Sequence, residues 1–213
     1  MGAARLSFAR MPHVGFWKLC GSGSGHGFTP KPNTAVWAIL ATWPDADTAR
    51  LMIGTASVFR RWQNHAAESW TILLEPTSAR GQWSGVEPFT PPDNAAPHSG
   101  PIVALTRATM RASTFLRFWQ RVPDISNAIG QDPNVIFKIG IGEVPLLHQV
   151  TFSIWPDTTS MANFARGDGP HGRAIQSVRA EGWFAEELYA RFRILESWGS
   201  WGGSSPLTTK DAA

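Results

Sequence analysis

Two stretches of this chain repeat one another, and the repeat limits the folds open to it more than any single motif does. Phe16-Trp17-Lys18 leads through a glycine-rich turn to Ala41-Thr42-Trp43-Pro44-Asp45, and Ile136-Phe137-Lys138 leads through a shorter turn to Ser153-Ile154-Trp155-Pro156-Asp157. Further on, Glu68-Ser69-Trp70 answers Glu181-Gly182-Trp183, and the run from Ala79 to Gly85 answers the run from Ser197 to Gly203. A duplication sets the fold unit and exposes where the copies have diverged. Counted from the two Trp-Pro-Asp landmarks, His171 of the second copy stands where the first copy has Phe59.

The second copy reads clearly. Residues 102–110 alternate as a strand, 113–129 carry apolar residues at helical spacing, and 134–141 and 148–155 are two further strands. Asp157 caps a helix through Phe164, Gly167-Asp168-Gly169-Pro170 breaks it, and Pro170 opens a second helix expected to reach about Tyr189 before a closing strand at 191–195. The order β-α-β-β-α-β is the ferredoxin-like unit, so the expected class is α+β with two fused ferredoxin-like halves. In the first half, 14–20 and 33–42 are strands, 45–70 a broken helix and 71–74 a closing strand. Nothing there corresponds to residues 101–120, so the first half is expected to lack its opening strand and most of its first helix, as in a truncated homologue with an unpaired sheet edge. The expected organisation is 1–85 for the incomplete half, 86–100 for a proline-rich linker, 101–203 for the complete half and 204–213 for a disordered tail.

Composition narrows the function. Eleven Trp and twelve Phe against one Tyr suit either a ring-filled core or a large apolar ligand. A net charge of +3 without a basic stripe argues against nucleic acid and leaves room for contact with anionic lipid at a membrane periphery. The single cysteine, Cys20, forms no internal disulfide, which suits a reducing cytoplasm. No apolar run reaches the length of a membrane span, and the N-terminus lacks the apolar core of a signal peptide.

The glycine run from Gly21 to Gly27 is followed by Phe28-Thr29-Pro30-Lys31-Pro32, which cannot open a helix, so it reads as a hairpin rather than a phosphate cradle. Carboxylates are dispersed; Glu186-Glu187 reads as a solvated helix face, and Asp45 and Asp157 as helix caps. None of the six histidines pair at the i, i+4 spacing of a zinc helix. A site needing one protein ligand is different, because heme iron is often held by a single axial His in a dry aromatic pocket. His171 shares a helix face with Ile175, Val178 and Gly182, whereas the corresponding stripe in the first copy is Phe59, Trp62, Ala66 and Trp70. His171 is thus the candidate metal ligand, or else a histidine capping a core carbonyl. His148, in line with Val150, Phe152 and Ile154, is a second pocket residue or an ordinary core histidine.

Gly15-Phe16-Trp17-Lys18-Leu19, the segment from Gly27 to Val36, Ala41-Thr42-Trp43-Pro44-Asp45, Phe137-Lys138-Ile139-Gly140-Ile141-Gly142-Glu143 and the segment from His148 to Asp157 together resemble the spheroidene monooxygenase family, acyclic carotenoid 2-ketolases. The resemblance extends from Met1 to about Trp201. It implies a heme-containing oxygenase on a dimeric α+β barrel scaffold, with the heme in one half and an axial His on a helix, a role that fits His171. It implies oxygen insertion at C-2 of spheroidene to give spheroidenone, with dioxygen as oxidant and reduced ferredoxin as electron donor. Arg107, Arg111 and Lys138 are then candidate partners of the heme propionates, and His148 a candidate pocket residue. The competing expectations are a cofactor-free oxygenase on the same scaffold and a non-catalytic module that binds a lipophilic ligand.

Overall fold

The structure is a computed structural model that describes residues 2–24, 31–93, 98–114, 132–144, 146–166 and 182–207. Its elements are α1 (Gly2–Ala9), β1 (Trp17–Gly23), β2 (Pro32–Ala41), α2 (Ala46–Thr55), α3 (Ser57–His65), β3 (Trp70–Gly81), β4 (Ile102–Met110), a 3-10 turn (Ala112–Thr114), β5 (Phe137–Gly142), β6 (His148–Trp155), α4 (Thr158–Arg166) and β7 (Phe184–Gly199). The chain is α+β, and its seven strands follow the order β2-β1-β5-β6-β4-β7-β3. Within the second half, β5-β6-β4-β7 is an antiparallel sheet in which β4 lies between β6 and β7. Among the described residues no strand precedes β1, and β2 and β3 stand at the two ends of the order.

The chain forms two compact units that cut across the sequence halves. One comprises Met1–Leu19, Ile39–Glu75 and Ile194–Ala213, the other Cys20–Ala38 and Pro76–Arg193. In the first unit, Ala4, Phe8, Leu19 and Val58 are buried against Trp17, Ile39, Phe59 and Trp62. Phe8 stacks on Trp17 at 5.3 Å and meets Phe59 edge-on at 5.5 Å, a geometry that adds to the area the rings bury. A second cluster joins Ala49 and Ile53 of α2 to Leu73, Trp43 and Trp198. In the second unit, Ile102 and Trp155 pack on Met161 and Phe164 of α4. Each such side chain removed from water contributes roughly 1.5–3 kcal/mol.

Local chemistry explains most boundaries. Asp45 accepts the backbone N–H of Thr48 at 2.7 Å and Asp157 that of Ser160 at 2.7 Å, so both landmark aspartates hold orphan N–H groups in a first helical turn. Those bonds keep both carboxyls below the usual aspartate range. The broken helix expected over 45–70 is α2 and α3, parted at Ala56.

The largest departure lies at the end of the chain. The helix expected to reach Tyr189 is strand from Phe184 onward, and the short closing strand becomes the sixteen residues of β7. Alternation decides it, because Leu188, Ala190 and Phe192 are buried on one side while their neighbours pair across β4. The shift also corrects the repeat. Gly81 and Gly199 have φ of 90° and 91°; Gln82 donates to Glu187 O, and Ser200 donates to Ser69 O. Glu68 therefore corresponds to Glu186 rather than to Glu181.

In both copies a tight turn follows the glycine. Trp83 pairs with Val86, and Trp201 pairs with Ser204, while Ser84, Gly85, Gly202 and Gly203 all have positive φ, as a two-residue hairpin of the primed type requires. A Cβ on Gly81 would collide with the Glu187 carbonyl. Gly81→Ala should therefore lower stability by about 1–3 kcal/mol, whereas Ser84→Gly, which relieves a strained φ, should leave it unchanged or slightly raised. Urea midpoints of the two variants check this.

Candidate functional site

One face of the second-half sheet is covered by α4, through Ile102, Ala104 and Trp155 against Met161 and Phe164. Strand pairing extends that face away from α4. Lys138 lies opposite Ser153 and Ser153 opposite Ala104, and the next row is Gly140, Thr151 and Thr106. Beyond it Gln149 pairs with Ala108. Apart from Lys138 and Gln149, these positions hold small residues. Ser153 accepts the indole N–H of Trp155 at 2.9 Å, which leaves Lys138 as the charged group of the floor. Its Nζ is buried without a hydrogen-bond partner among the described residues, and burial holds its pKa below the ordinary lysine range.

The first copy uses the equivalent face differently. There Trp17 and Leu19 of β1, with Ile39 and Ala41 of β2, pack against Phe8 of α1 and against Val58, Phe59 and Trp62 of α3. Bulk thus occupies the positions that Lys138, Gly140 and Thr151 hold in the second copy. The register also differs by one residue from the sequence match of Lys18 with Lys138: Gly15 donates to Thr42 O while Thr42 donates to Phe16 O, so two residues oppose one, as in a β-bulge. Lys18 consequently lies away from the helices, over the Phe16 ring at 5.0 Å.

Arg107 and His148 lie on the opposite face of the second-half sheet. Arg107, 1% exposed, is ion-paired with Glu186 and approaches the Trp83 ring at 5.7 Å. Glu186 also accepts the N–H groups of Ser84 at 2.9 Å and Gly85 at 2.7 Å. Nδ1 of His148 stands 3.5 Å from Glu143 Oε2, which accepts the indole N–H of the fully buried Trp83 at 2.7 Å. Arg111, exposed past the end of β4, donates Nε to Phe184 O. The structure therefore does not bring Arg107, Arg111 and Lys138 together, and His171 lies outside the described residues. Among the described residues no three His, Cys, Asp or Glu side chains converge on a metal position. Sequence reading missed Glu186, Glu143 and Trp83. The recurrence of Trp83 as Trp201 was the available sign.

Glu186 is pulled two ways: burial raises its pKa, but the Gly85 and Ser84 N–H groups and the Arg107 guanidinium outweigh burial and hold it below the usual glutamate range. In the first copy, Glu68 accepts N–H groups of Gly202 and Gly203 and the Ser200 hydroxyl, which lower its pKa. A lowered folded pKa means stability that is complete above the unfolded value of about 4.3 and lost as pH falls through the folded one.

No protein-family model matches the chain. It is 56% identical over 200 residues to the spheroidene monooxygenase of Rhodobacter capsulatus, a match covering 93% of this chain and 83% of that protein. The chain belongs to the spheroidene monooxygenase family. It is also 55% identical over 208 residues to the spheroidene monooxygenase of Cereibacter sphaeroides, of whose length it spans 64%, and 32% identical over 192 residues to that of Rubrivivax gelatinosus. Among solved structures, a chain from Fusobacterium nucleatum aligns over 92% of this chain and 84% of its own, at 10% identity and a TM-score of 0.44.

Within this member of the spheroidene monooxygenase family, the buried ion pair makes an asymmetric prediction. Glu186→Gln strands the Arg107 charge and should cost about 3–5 kcal/mol at pH 7, with the deficit shrinking at acid pH as the parent's Glu186 is protonated below the usual glutamate range. Glu68→Gln, which strands no buried cation, should cost much less. Urea titrations at the two pH values measure both.

Proposed function

We propose that this protein is a monooxygenase of acyclic carotenoids that introduces a keto group at C-2, converting spheroidene to spheroidenone. The observation that carries the reading is the 56% identity to the Rhodobacter capsulatus spheroidene monooxygenase across nearly the whole chain. The helix-covered face of the second-half sheet supports it physically. A carotenoid offers few hydrogen-bonding groups, so a site for one is built from shape and apolar walls.

The same face fits heme. Lys138 Nζ is buried without a hydrogen-bond partner among the described residues, and a propionate carboxylate is the kind of group that would satisfy it. Gly140, Thr151, Thr106 and Ala108 put small side chains on the described part of this floor, as a flat macrocycle would need. His171, which lies outside the described residues, would hold the iron, on the strength of its place in the repeat at the position of Phe59, and Lys138 would pair with a propionate. Arg107 is left out of this assignment because it is already paired with Glu186. Heme, when bound, would supply the activation of dioxygen, with electrons from reduced ferredoxin. The chain's own contribution would be to seat the polyene end over the small-residue floor and hold the macrocycle's charge at Lys138. Two hydroxylations at C-2 give a geminal diol, and loss of water from it gives the ketone.

Protein purified from heme-supplied cells should show a Soret band that disappears in His171→Ala, together with turnover of spheroidene. A colourless but active protein would overturn the heme assignment. Lys138→Met should lose heme to a scavenging globin roughly tenfold faster, while its heme-free form unfolds at higher urea than the parent because an unpartnered buried charge is gone.

A further inference from the structure

β6 carries Gln149, Thr151 and Ser153 on its floor face, and the equivalent positions of β2, counted from the Trp-Pro-Asp landmarks, are Trp37, Ile39 and Ala41. Three apolar residues in one copy are thus three hydrogen-bonding residues in the other. In the first copy Ile39 and Ala41 pack in the aromatic core. The Trp37 ring lies over Gly21, 3.6 Å from where a Cβ on that glycine would stand, and its indole N–H is spent on Thr34 O. In the second copy the polar side chains need partners of their own wherever they leave water. Where those partners are found separates the three residues.

Ser153, buried, is engaged at both ends of its hydroxyl: it accepts the Trp155 indole N–H at 2.9 Å and donates to Ala104 O at 3.5 Å. Thr151 stands directly opposite Thr106, and threonines so placed have each other's hydroxyl within reach. Gln149 has no such neighbour. Its cross-strand partner is Ala108, and on the other side β5 passes from Ile141, the partner of Val150, to Gly142. No side-chain hydrogen bond of Gln149 is found among the described residues. Gln149 is also half-buried where Ser153 is buried. The unspent amide is therefore the member of the row farthest from α4 and partly accessible.

Lys138 lies across from Ser153, and Gln149 is two rows farther along the same face, about 13 Å at the usual strand rise. The two side chains recognise different groups. An ammonium calls for an anion, whereas a carboxamide N–H serves an uncharged acceptor without the cost of desolvating a charge. Spheroidene carries a single oxygen, the methoxy ether on C-1, and C-2 is the adjacent carbon. We propose that Gln149 donates its side-chain N–H to that ether oxygen and so anchors the substrate with C-2 at a fixed place over the floor. This rests on the carotenoid reading of the function. Apolar walls hold a polyene but leave it free to slide along its own length, and one hydrogen bond at its end removes that freedom. The position of oxidation then follows from where the end is held.

Quenching of tryptophan fluorescence reads binding of micelle-dissolved spheroidene and of the analogue with hydrogen in place of the methoxy group. The parent should bind spheroidene roughly tenfold more tightly than the analogue, and Gln149→Leu should bind the two alike. Thr151→Val, one row away, should keep the parent's preference. Since no described hydrogen bond is lost, Gln149→Leu and Gln149→Met should unfold at urea midpoints no lower than the parent's, and either variant serves. In turnover, both should oxidise spheroidene with kcat/KM about tenfold lower and oxygenate carbons besides C-2, with their rate on the analogue unchanged. Equal binding of both carotenoids by the parent, a preference that survives in Gln149→Leu, or one lost in Thr151→Val instead overturns the proposal. If the parent still oxidises spheroidene in any of those cases, the carotenoid reading stands without it. A parent that shows the binding preference but oxidises neither carotenoid sinks the activity and leaves the Gln149 contact.

Discussion

A guanidinium with 1% of its surface exposed sets the terms for much of the second unit. Burying Arg107 alone would cost several kcal/mol, and only a carboxylate fixed beside it makes the position tenable. Glu186 is that carboxylate, and it is fixed because Ser84 and Gly85 present two N–H groups to it from a turn with positive φ angles. The turn in turn brings Trp83 over the guanidinium and within reach of Glu143. One buried charge thereby specifies the relative placement of β4, β7, the turn after β3 and the start of the β5–β6 hairpin. The first copy shows what the arrangement is without the cation: Glu68 accepts the same kind of turn amides and has a hydroxyl in place of an arginine.

That polar network occupies one face of the second-half sheet, and the small-residue floor with Lys138 occupies the other. The division is chemically useful. Glu186 meets Arg107 with its charge already satisfied, so that face is suited to bracing and offers little unspent electrostatic capacity. Lys138 has no such partner among the described residues. An unsatisfied buried cation lowers stability in the absence of a ligand, and that deficit becomes binding free energy when an anion arrives.

Much of this was legible in the residues, and the rest was hidden for identifiable reasons. The bounds of β4 and β6 follow from alternation over residues 102–110 and 148–155, and the aspartate caps follow from Trp-Pro-Asp. β7 was misread because Phe184 to Tyr189 also satisfies a helical spacing after the expected start at Pro170, and its two glutamates looked like a solvated face. Its true register depends on pairing with β4, a contact between distant segments that local periodicity does not encode. The same limit concealed Glu186. The match of Lys18 with Lys138 failed for a smaller reason: Gly15 and Phe16 both bond to Thr42, and one extra residue in a strand turns every later side chain to the opposite face.

The one-residue shift has a further consequence for how a duplicated fold acquires a site. Because Trp17 and Leu19 face α1 and α3, the first copy closes its helix-covered face with rings, and Phe8, Phe59 and Trp62 complete a packed core there. Among the described residues, the second copy places Lys138 and Gly140 on the matching face, where the first has Trp17 and Leu19. Two filled copies would be more stable and would have nowhere to put a ligand, whereas two emptied copies would each lose several large buried side chains, at about 2–5 kcal/mol apiece by core-truncation standards. Large rings on one floor and small residues on the other would resolve the conflict, since the ring-packed half carries its own core and the other floor is the one proposed to take a guest. The difference that the repeat exposed at Phe59 and His171 is thus accompanied by a second one among the described residues, where Trp17, Leu19 and Ile39 of the first copy give way to Lys138, Gly140 and Thr151.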